Sequence, residues 1–232
     1  MIDFHSHILP GIDDGSKDVN MSLQMLGALR AQGVDTVAAT SHFYATQRSV
    51  HRFLERRAEA WEKLKSVVPA DAPQILLGAE VLYFPGVSRM EELSQLCLEG
   101  TKLLLLEMPF SPWSEYMTRE ATELARSGRV TVMMAHIERY YDMQPPEVWD
   151  SLLENGAILQ SNAEFFLSLR TRRRALRLLR DGYIQVLGTD CHNMSGRAPR
   201  MGEARKLIER RLGRGALEEI DEFGQVLLRK DG

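Results

Sequence analysis

The chain begins with MIDFHSHILPGIDDG, residues 1–15, in which a short apolar run leads directly into two histidines and an acidic loop. In an extended segment, residues two apart point to the same side, so His5 and His7 can bind one ion while Phe4 faces elsewhere. Asp14 follows in the loop after this run. The segment is therefore typical of a strand that ends in metal ligands.

A short apolar run followed by a helix-like stretch recurs along the chain. The predicted strands are Met1–Phe4, Val34–Thr40, Gln74–Ala79, Lys102–Met108, Val130–Ala135, Ala157–Gln160 and Ile184–Leu187. The predicted helices are Val19–Gln32, Val50–Val67, Ser114–Ser127, Pro146–Asn155 and Leu169–Asp181. This alternation predicts right-handed βα units with a mostly parallel sheet. The predicted fold class is α/β, as a seven-stranded βα (TIM-like) barrel or an incomplete one, and the pattern also permits a doubly wound sheet.

The composition indicates one ordinary globular domain over residues 1–232. With 44% hydrophobic residues, the chain can bury one substantial core, and no linker or low-complexity segment divides it. A net charge of −3 provides no global basic field, so we expect no nucleic-acid partner. Two cysteines suit a reducing compartment, and we expect a cytoplasmic protein with no signal peptide and no membrane insertion.

Potential metal ligands follow the predicted strands at six places. Five of the six histidines and four carboxylates lie there: His5, His7, Asp14, His42, Glu80, Glu107, His136, Asp190 and His192. A parallel barrel places its active site at this end of its strands. Taken singly, each side chain could be a hydrogen-bonded core histidine, a surface carboxylate or a helix cap. Together they predict a metal centre, because four buried carboxylates would repel one another without cations.

These residues, in this order, resemble the polymerase and histidinol phosphatase (PHP) superfamily. The segments FHSHILPGIDDGSKD, ATSHF, GAEV, LLLEMPF, AHIERY and GTDCHN are similar to bacterial tyrosine phosphatases encoded beside capsule and exopolysaccharide genes. The resemblance extends from Met1 to about Gly202. It implies a distorted seven-stranded PHP-type barrel with two or three divalent ions. Manganese is the expected ion, and iron, zinc, cobalt and magnesium are the alternatives.

The resemblance also implies how the ligands divide among the ions. The first ion would take His5, His7, Glu80 and Asp190; the second Glu80, Glu107 and His136; the third Asp14, His42 and His192. The stretch Thr40-Ser41-His42-Phe43 departs from the family pattern, which usually has a proline before this histidine and often a second histidine after it. This departure puts the shape of the loop in doubt.

The expected reaction is hydrolysis of phosphotyrosine on a protein substrate. A hydroxide on the metals would be the nucleophile, because a bound metal lowers the pKa of water from about 15.7 to about 7. Arg139 and Arg197 are expected to bind phosphate, as their counterparts do in the family. His42 and His192 are candidates for the general acid. The family setting implies a cognate bacterial tyrosine kinase, which controls polysaccharide synthesis or export, as the substrate.

Other function classes stay open at this stage. A small-molecule phosphatase, such as one acting on histidinol phosphate, or a phosphodiesterase could use the same metals, and a silent binding module could retain them. Cys191 and Arg197 also form a Cys-x5-Arg pattern, typical of phosphatases with a cysteine nucleophile. Asp190 beside that cysteine disfavours the thiolate that such chemistry needs.

Two further features are interpreted more simply. Arginines at 170, 172, 173, 174, 177 and 180 form a basic stretch, which is either a solvated helix face or a docking surface for an acidic partner. The tryptophans are expected to be packing residues, with Trp113 also a candidate for flanking the pocket. His51 is excluded from the site because it lies in a predicted helix away from the strand ends.

Overall fold

A computed structural model describes residues 1–229, and its strands are all parallel to their neighbours. The strands are β1 Ile2–Ser6, β2 Thr36–Ala39, β3 His42–Phe43, β4 Gln74–Leu77, β5 Glu80–Leu82, β6 Leu103–Glu107, β7 Thr131–Met134, β8 Ile158–Asn162 and β9 Val186–Gly188. Each of the seven predicted strands overlaps one of these, so the strand predictions are confirmed. Residues 230–232, which the single-domain prediction includes, lie outside the described residues.

The second and third predicted strands correspond to β2 and β4, and each is followed by a further short strand, β3 or β5, that was not predicted. The chain leaves β2 at Ala39 and resumes as β3 at His42, and it leaves β4 at Leu77 and resumes as β5 at Glu80. The first pieces form a three-stranded sheet in the order β1-β2-β4, and the second pieces begin a six-stranded sheet in the order β3-β5-β6-β7-β8-β9. These two breaks divide the strands between two sheets, which is the distortion of the barrel.

The end of β9 returns to β1 and curls the sheet on itself. The backbone N–H of Asp190 donates to the His5 carbonyl at 2.7 Å, and that of His7 donates to the Cys191 carbonyl at 2.9 Å. The buried carboxylate of Asp3 accepts from the backbone N–H of Thr189 at 2.8 Å and from its hydroxyl at 2.6 Å. The first and last strands therefore lie side by side, and the predicted α/β barrel fold is confirmed.

Helices cover the outside of this sheet. They are α1 Val19–Ala31, α2 Val50–Lys65, α3 Glu115–Arg126, α4 Pro146–Glu154, α5 Ala163–Leu167, α6 Arg172–Arg180, α7 Met201–Leu212 and α8 Arg214–Leu227. Asp18, Ser49 and Ser114 accept hydrogen bonds from first-turn N–H groups of α1, α2 and α3, which fixes where these helices begin. All five predicted helices are confirmed, and α5, α7 and α8 were not predicted. No helix among residues 1–229 combines the length and apolarity needed to cross a bilayer.

Alternate residues along the strands divide between two apolar cores. On β6, Leu104 and Leu106 pack in the larger core beneath the helices, whereas Leu103 and Leu105 pack in the smaller one. The smaller core fills the barrel interior and is covered by Phe223 and its neighbours on α8. Glu107 follows Leu105 by two residues and so continues the interior face toward the carboxyl end of the strand.

Candidate metal centre

The nine predicted ligands converge at the carboxyl end of the barrel. They fall into four overlapping groups whose candidate ligand atoms lie within 4.8 Å of one another: His5, His7 and Asp190; His5, Glu80 and His136; His42, Glu80 and Glu107; and His7, Asp14, His42 and His192. Six of the nine are almost completely buried, whereas the Asp14 side chain is 65% exposed at the rim. The structure thus brings together all nine side chains, and their binding of metal stays a prediction.

The deepest group combines His5, His7, Glu80 and Asp190. Glu80 Oε2 lies 3.3 Å from Nε2 of both His5 and His7. Asp190 Oδ1 lies 3.6 Å from Nε2 of His5 and 3.4 Å from that of His7. Two imidazoles and two carboxylates therefore surround one small space, and this donor set suits a divalent transition-metal ion.

Two further groups extend from this space in opposite directions. On one side, His136 Nε2 lies 2.8 Å from Glu80 Oε1 and 3.3 Å from Glu107 Oε1. On the other, Asp14 Oδ1 lies 3.2 Å from His42 Nε2 and 3.4 Å from His192 Nε2. Glu80 is shared, because its Oε2 is also 2.9 Å from His42 Nδ1.

The facing nitrogens of His5 and His7 are the clearest sign that cations belong here. His5 Nδ1 lies 3.3 Å from the Gln160 amide oxygen, and His7 Nδ1 lies 2.9 Å from Asp13 Oδ2. Both partners only accept, so in the neutral rings both Nδ1 atoms carry the proton. The Nε2 lone pairs then face each other at 3.1 Å, which is repulsive unless a cation or a proton lies between them. The residues present fit a divalent ion.

Buried polar atoms without partners support the same conclusion. Glu80 Oε2, His136 Nδ1 and His192 Nε2 are buried, and none makes a hydrogen bond within residues 1–229. Native proteins leave few such atoms, because an unsatisfied buried polar group costs about 1–3 kcal/mol. Lone pairs of Glu80 and His192 that point into the cluster are available for coordination.

Backbone strain is also concentrated at two candidate ligands. His136 has φ 28° and Asp190 has φ 52°, and these are the only non-glycine residues with positive φ in the described chain. Side chains rarely adopt this region, and the cost is of order 1–3 kcal/mol per residue. Each lies two positions beyond the end of a strand, so the strained turn redirects the side chain into the site.

Glycine permits close approach at two points around the histidines. A Cβ at Gly15 would collide with His7, and one at Gly188 would collide with His5 and with the Gln160 amide. The acidic loop can therefore fold back so that the Ser16 N–H donates to the His7 carbonyl at 2.9 Å. Without these glycines, neither the loop nor β9 could approach β1 as closely.

Several supporting residues were missed by sequence reasoning. Asp13 holds three elements together: besides His7 Nδ1, it accepts from the backbone N–H of Gly15 at 3.0 Å and of His42 at 3.0 Å. Such carboxylate partners orient a histidine ligand. The two adjacent acids of GIDDG were a usable signal. Asp14 was predicted to be a ligand, which left Asp13 without a role and in a position to support the site.

Two amides on β8 were missed for a different reason. The Gln160 amide oxygen accepts from the His136 N–H at 2.7 Å as well as facing His5, and the Asn162 amide donates to Asp190 Oδ2 at 2.9 Å. Both follow Ile158 on the interior face at steps of two residues. Nothing in a strand sequence separates such an amide from an ordinary polar residue.

The charges of the metal-free cluster are strongly coupled. Burial opposes ionisation of Glu80 and Asp190, but the histidines around them lower the pKa of both carboxyls well below the usual range. Burial likewise opposes protonation of His136, yet Glu107 and Glu80 raise its pKa to about 9. Burial and then the charge on His7 lower the pKa of His192 to about 4. In the absence of cations, protons on the histidines offset the carboxylate charge.

Both predicted phosphate-binding arginines lie at the mouth of this cluster. Arg139 and Arg197 each contact Asp190 Oδ2, and the Arg197 contact is 2.6 Å. Their side chains are 33% and 38% exposed, so their donors also face solvent. Both line a polar cleft of about 450 Å³ beside the cluster. This position suits phosphate binding, and that role stays a prediction.

The cysteine of the Cys-x5-Arg pattern is poorly placed for nucleophilic attack. Cys191 is completely buried, and burial together with the nearby charge of Asp3 raises the pKa of its thiol. A reactive cysteine needs exposure and cationic surroundings. The structure therefore argues against the cysteine mechanism.

The arginine-rich stretch divides into two groups. Arg172 donates to the carbonyl of Leu167 at 3.0 Å, Arg174 pairs with Asp142, and Arg180 contacts Asp181. The remaining three, Arg170, Arg173 and Arg177, are exposed, and their guanidinium groups make no ion pair within residues 1–229. Only these three could contact a partner without first breaking a contact.

The structure also shows where the remaining tryptophan and histidine positions lie relative to the ligand cluster. Trp113 packs edge-on against the fully buried Trp149 at 5.3 Å and beside Tyr140 at 5.3 Å, so it is a packing residue that does not border the ligands. His51 is 84% exposed on α2. Phe43, in place of the second histidine of the family pattern, is buried and packs edge-on against Phe53 at 5.4 Å.

The architecture and the convergent cluster define a parallel α/β barrel protein with a candidate metal centre at the carboxyl ends of its strands. A family model described as capsular polysaccharide synthesis, CpsB/CapC, matches residues 1–223, and the chain belongs to this family. The match extends past Gly202, where the resemblance had been expected to end. It includes α7 and most of α8.

Comparison with individual proteins agrees with this assignment. The chain is 30% identical to the tyrosine-protein phosphatase YwqE of Bacillus subtilis, over 99% of this chain and 92% of that protein. It is similar to a chain from the crystal structures of YwqE and of CpsB from Streptococcus pneumoniae, which are described as metal-dependent tyrosine phosphatases. The TM-score is 0.84, with 27% identity and coverage of 100% of this chain and 96% of that chain.

A more distant likeness concerns the fold alone. Histidinol phosphate phosphatase from Lactococcus lactis, solved with zinc, L-histidinol and phosphate, gives a TM-score of 0.53 at 13% identity. The match covers 90% of this chain and 92% of that chain. The barrel is therefore shared with a small-molecule phosphatase.

Proposed function

We propose that this chain is a metal-dependent protein-tyrosine phosphatase. The observation that carries the proposal is the ligand cluster itself, in which His5 and His7 direct lone pairs at each other beside two carboxylates. Relatives of almost the same length are named tyrosine-protein phosphatases. Full retention of the nine ligand types disfavours a silent binding module.

The chain's own residues supply a cation trap and phosphate contacts. Divalent ions held by the cluster would act as Lewis acids that lower the pKa of water and offset phosphate charge. Arg139 and Arg197 would move from Asp190 to the non-bridging oxygens of the phosphate, where a guanidinium can donate two parallel hydrogen bonds. A tyrosinate leaving group, whose parent pKa is about 10, needs little protonation. His42 and His192 stay candidates for a general acid.

The proposal includes finer statements about the ions, the partner and the location. Two or three ions, manganese first, would follow the ligand groups already described. The protein substrate would be a cognate bacterial tyrosine kinase, as the capsule-synthesis family description favours. Cytoplasmic action agrees with two free, buried cysteines.

A parallel turnover assay tests the proposed reaction. Metal-replete protein should hydrolyse a phosphotyrosine peptide faster than histidinol phosphate or a phosphodiester, and a chelator should abolish the activity. Cys191→Ser should retain it, because the thiol is buried and neutral. Preference for histidinol phosphate or the diester would overturn the substrate assignment, and loss of activity in Cys191→Ser with normal folding would overturn the metal route.

The partner can be tested separately through the exposed arginines of the α6 region. Reversing Arg170, Arg173 and Arg177 to glutamate should weaken dephosphorylation of an acidic protein substrate severalfold and leave a small aryl phosphate unaffected. Reversing Arg210, Arg211 and Arg214, at the junction of α7 and α8, provides a control with the same charge change. Equal effects of the two triple variants would contradict a docking role.

A further inference from the structure

A second cleft opens beside the ligand cluster, on the side away from Asp190. It has a volume of about 480 Å³, and its lining includes Tyr44, Leu82, Glu107, Met108, Pro109 and Phe110. Glu107 is a candidate metal ligand, so this cleft reaches the cluster directly. Thr46 and Gln47 also line the cleft, so four of its eight lining residues are apolar, and Tyr44 adds an aromatic ring.

Two aromatic rings border this Tyr44–Phe110 cleft, and each lies against a candidate ligand. Tyr44 stacks on His42 with ring centroids 5.2 Å apart and planes at 21°. Phe110 lies edge-on to His136, with centroids 5.7 Å apart. A histidine that binds a metal ion is held rigidly, so each of the two rings would pack against a rigid side chain next to a candidate ion site.

Phe110 is exposed although its position is well defined. It is 52% exposed, among the largest exposures of an aromatic side chain in the described residues. Its ring nevertheless stacks on the buried Tyr140 at 6.1 Å and lies under the Arg139 guanidinium at 5.4 Å. An apolar ring that is held in place at a cleft wall and is half exposed suits a binding surface for another ring.

The polar cleft on the other side of Arg139 is a poor place for a ring. Glu138, Asn162, Ser168, Arg197 and Arg200 are among its lining residues, together with one aromatic residue, Phe165, which is buried. Arg139 lines this polar cleft and also covers Phe110. The two clefts thus differ in the side chains that border the cluster, with arginines in the first and two partly exposed aromatic rings in the second.

We infer that the Tyr44–Phe110 cleft binds the aromatic ring of the substrate, between Tyr44 and Phe110, while the phosphate faces the ion cluster and Arg139. This inference rests on the proposed function, because that function makes the substrate an aryl phosphate. It assigns selection of aryl over alkyl phosphates to two side chains that are not metal ligands. Stacking between aromatic rings supplies the preference.

Binding of two non-hydrolysable probes tests the inference without turnover. Metal-loaded protein is titrated by calorimetry with phenylphosphonate and with methylphosphonate, which share the phosphonate group and differ in the ring. The wild-type chain should bind phenylphosphonate about tenfold more tightly. Phe110→Ala and Tyr44→Leu should each reduce this ratio by about three- to tenfold and leave methylphosphonate affinity unchanged.

Matched controls separate the ring site from general damage. Tyr116→Ala removes another exposed aromatic residue that lies under an arginine, Arg119, but away from both clefts, and should leave the ratio unchanged. Metal content, measured for every variant, should equal that of the wild type. Because Phe110 is half exposed, Phe110→Ala should retain its thermal unfolding temperature.

The outcomes distinguish this inference from the proposed function. A ratio near one in the wild-type chain, or a ratio retained in both cleft variants, would overturn the ring site even if phosphotyrosine is hydrolysed. A ratio that collapses as expected in a protein that fails to hydrolyse phosphotyrosine would support the ring site and overturn the phosphatase assignment.

Discussion

The interior of this barrel has two halves that lie on the same strands but differ in the residues that they bury. The lower half buries apolar side chains, and the upper half buries histidines and carboxylates. In the lower half, Leu105, Met133 and Ile158 pack with the apolar residues of α8 and leave no polar group to satisfy. In the upper half, histidines and carboxylates are buried with unpartnered atoms and strained backbone. The lower half has the features of a core that stabilises the fold, whereas the upper half has features that cost stability in the absence of cations.

The same strands carry both the apolar core that stabilises the fold and the candidate metal ligands. On β6, Glu107 follows the apolar Leu105 by two positions, so the interior face changes from apolar to ionisable between two successive inward-facing residues. The apolar half holds the strands rigidly enough to maintain the strained turns at His136 and Asp190. Changes in the upper half should therefore affect metal binding, and changes in the lower half should affect folding.

Glu80→Gln should have the largest effect in the upper half. Glu80 contacts candidate ligands on both sides of the cluster, at 2.8 Å from His136 and 3.3 Å from His5, and its charge is needed to hold more than one ion. We expect phosphatase activity to fall by at least about a thousandfold, since metal-assisted electrostatic stabilisation is worth several kcal/mol. Metal content after dialysis should drop in parallel, while the metal-free variant should unfold at a temperature no lower than that of the metal-free wild type. A fully active variant would show that the charge of Glu80 is not needed for metal binding.

Leu105→Ala should show the opposite behaviour. Leu105 is 2% exposed in the interior core, and removing its side chain should lower the free energy of unfolding by about 2–5 kcal/mol. Urea unfolding measures this change, and metal content per folded molecule should stay at the wild-type level. Leu169→Ala, at a residue that is 83% exposed, is the control and should change stability by less than about 0.5 kcal/mol. Loss of metal from folded Leu105→Ala would show that metal binding in the upper half depends on packing in the lower half.

Asp13→Ala tests whether a residue that contacts a candidate ligand, and is not itself a predicted ligand, contributes to metal binding. Asp13 accepts from His7 Nδ1 at 2.9 Å and is not itself a predicted ligand. Removing such an orienting carboxylate typically costs about 10–100-fold in metal affinity. Competition with a chelator should report this loss, and Asp18→Ala, which removes the cap of α1, should leave metal affinity unchanged. An unchanged affinity in Asp13→Ala would show that His7 is oriented by other contacts.

The pH dependence of metal-free stability should report the proton on His136. Its pKa is about 9 in the folded chain and about 6.5 when unfolded, so the stabilisation is fully present below pH 6.5 and is lost as pH rises through 9. We expect roughly 1–3 kcal/mol of stability to disappear between these limits. Bound divalent ions should remove this decline, because a coordinated histidine has already lost its proton. Thermal unfolding with and without manganese measures both curves, and parallel curves would contradict the assignment of His136 as a ligand.

Much of the fold was predictable because it depends on local patterns. Each predicted strand and helix overlaps an observed one, because apolar runs and helical spacing can be recognised in short windows of sequence. Strands β3 and β5 were not predicted, because each is only two or three residues long and begins at a polar residue, His42 or Glu80. The helices after Gly202 were not interpreted at all, although α8 covers the barrel interior through Phe223.

By itself, the sequence determined which residue types follow each strand, and therefore which side chains meet at one end of a parallel barrel. That inference works because the carboxyl ends of parallel strands share one edge, whatever their separation along the chain. Only the tertiary structure decided which atoms face one another. The pairing of His5 with Gln160, of His7 with Asp13, and the two aromatic rings at the neighbouring cleft depend on how the sheet curls, because contacts between distant segments leave no periodic signal in the sequence.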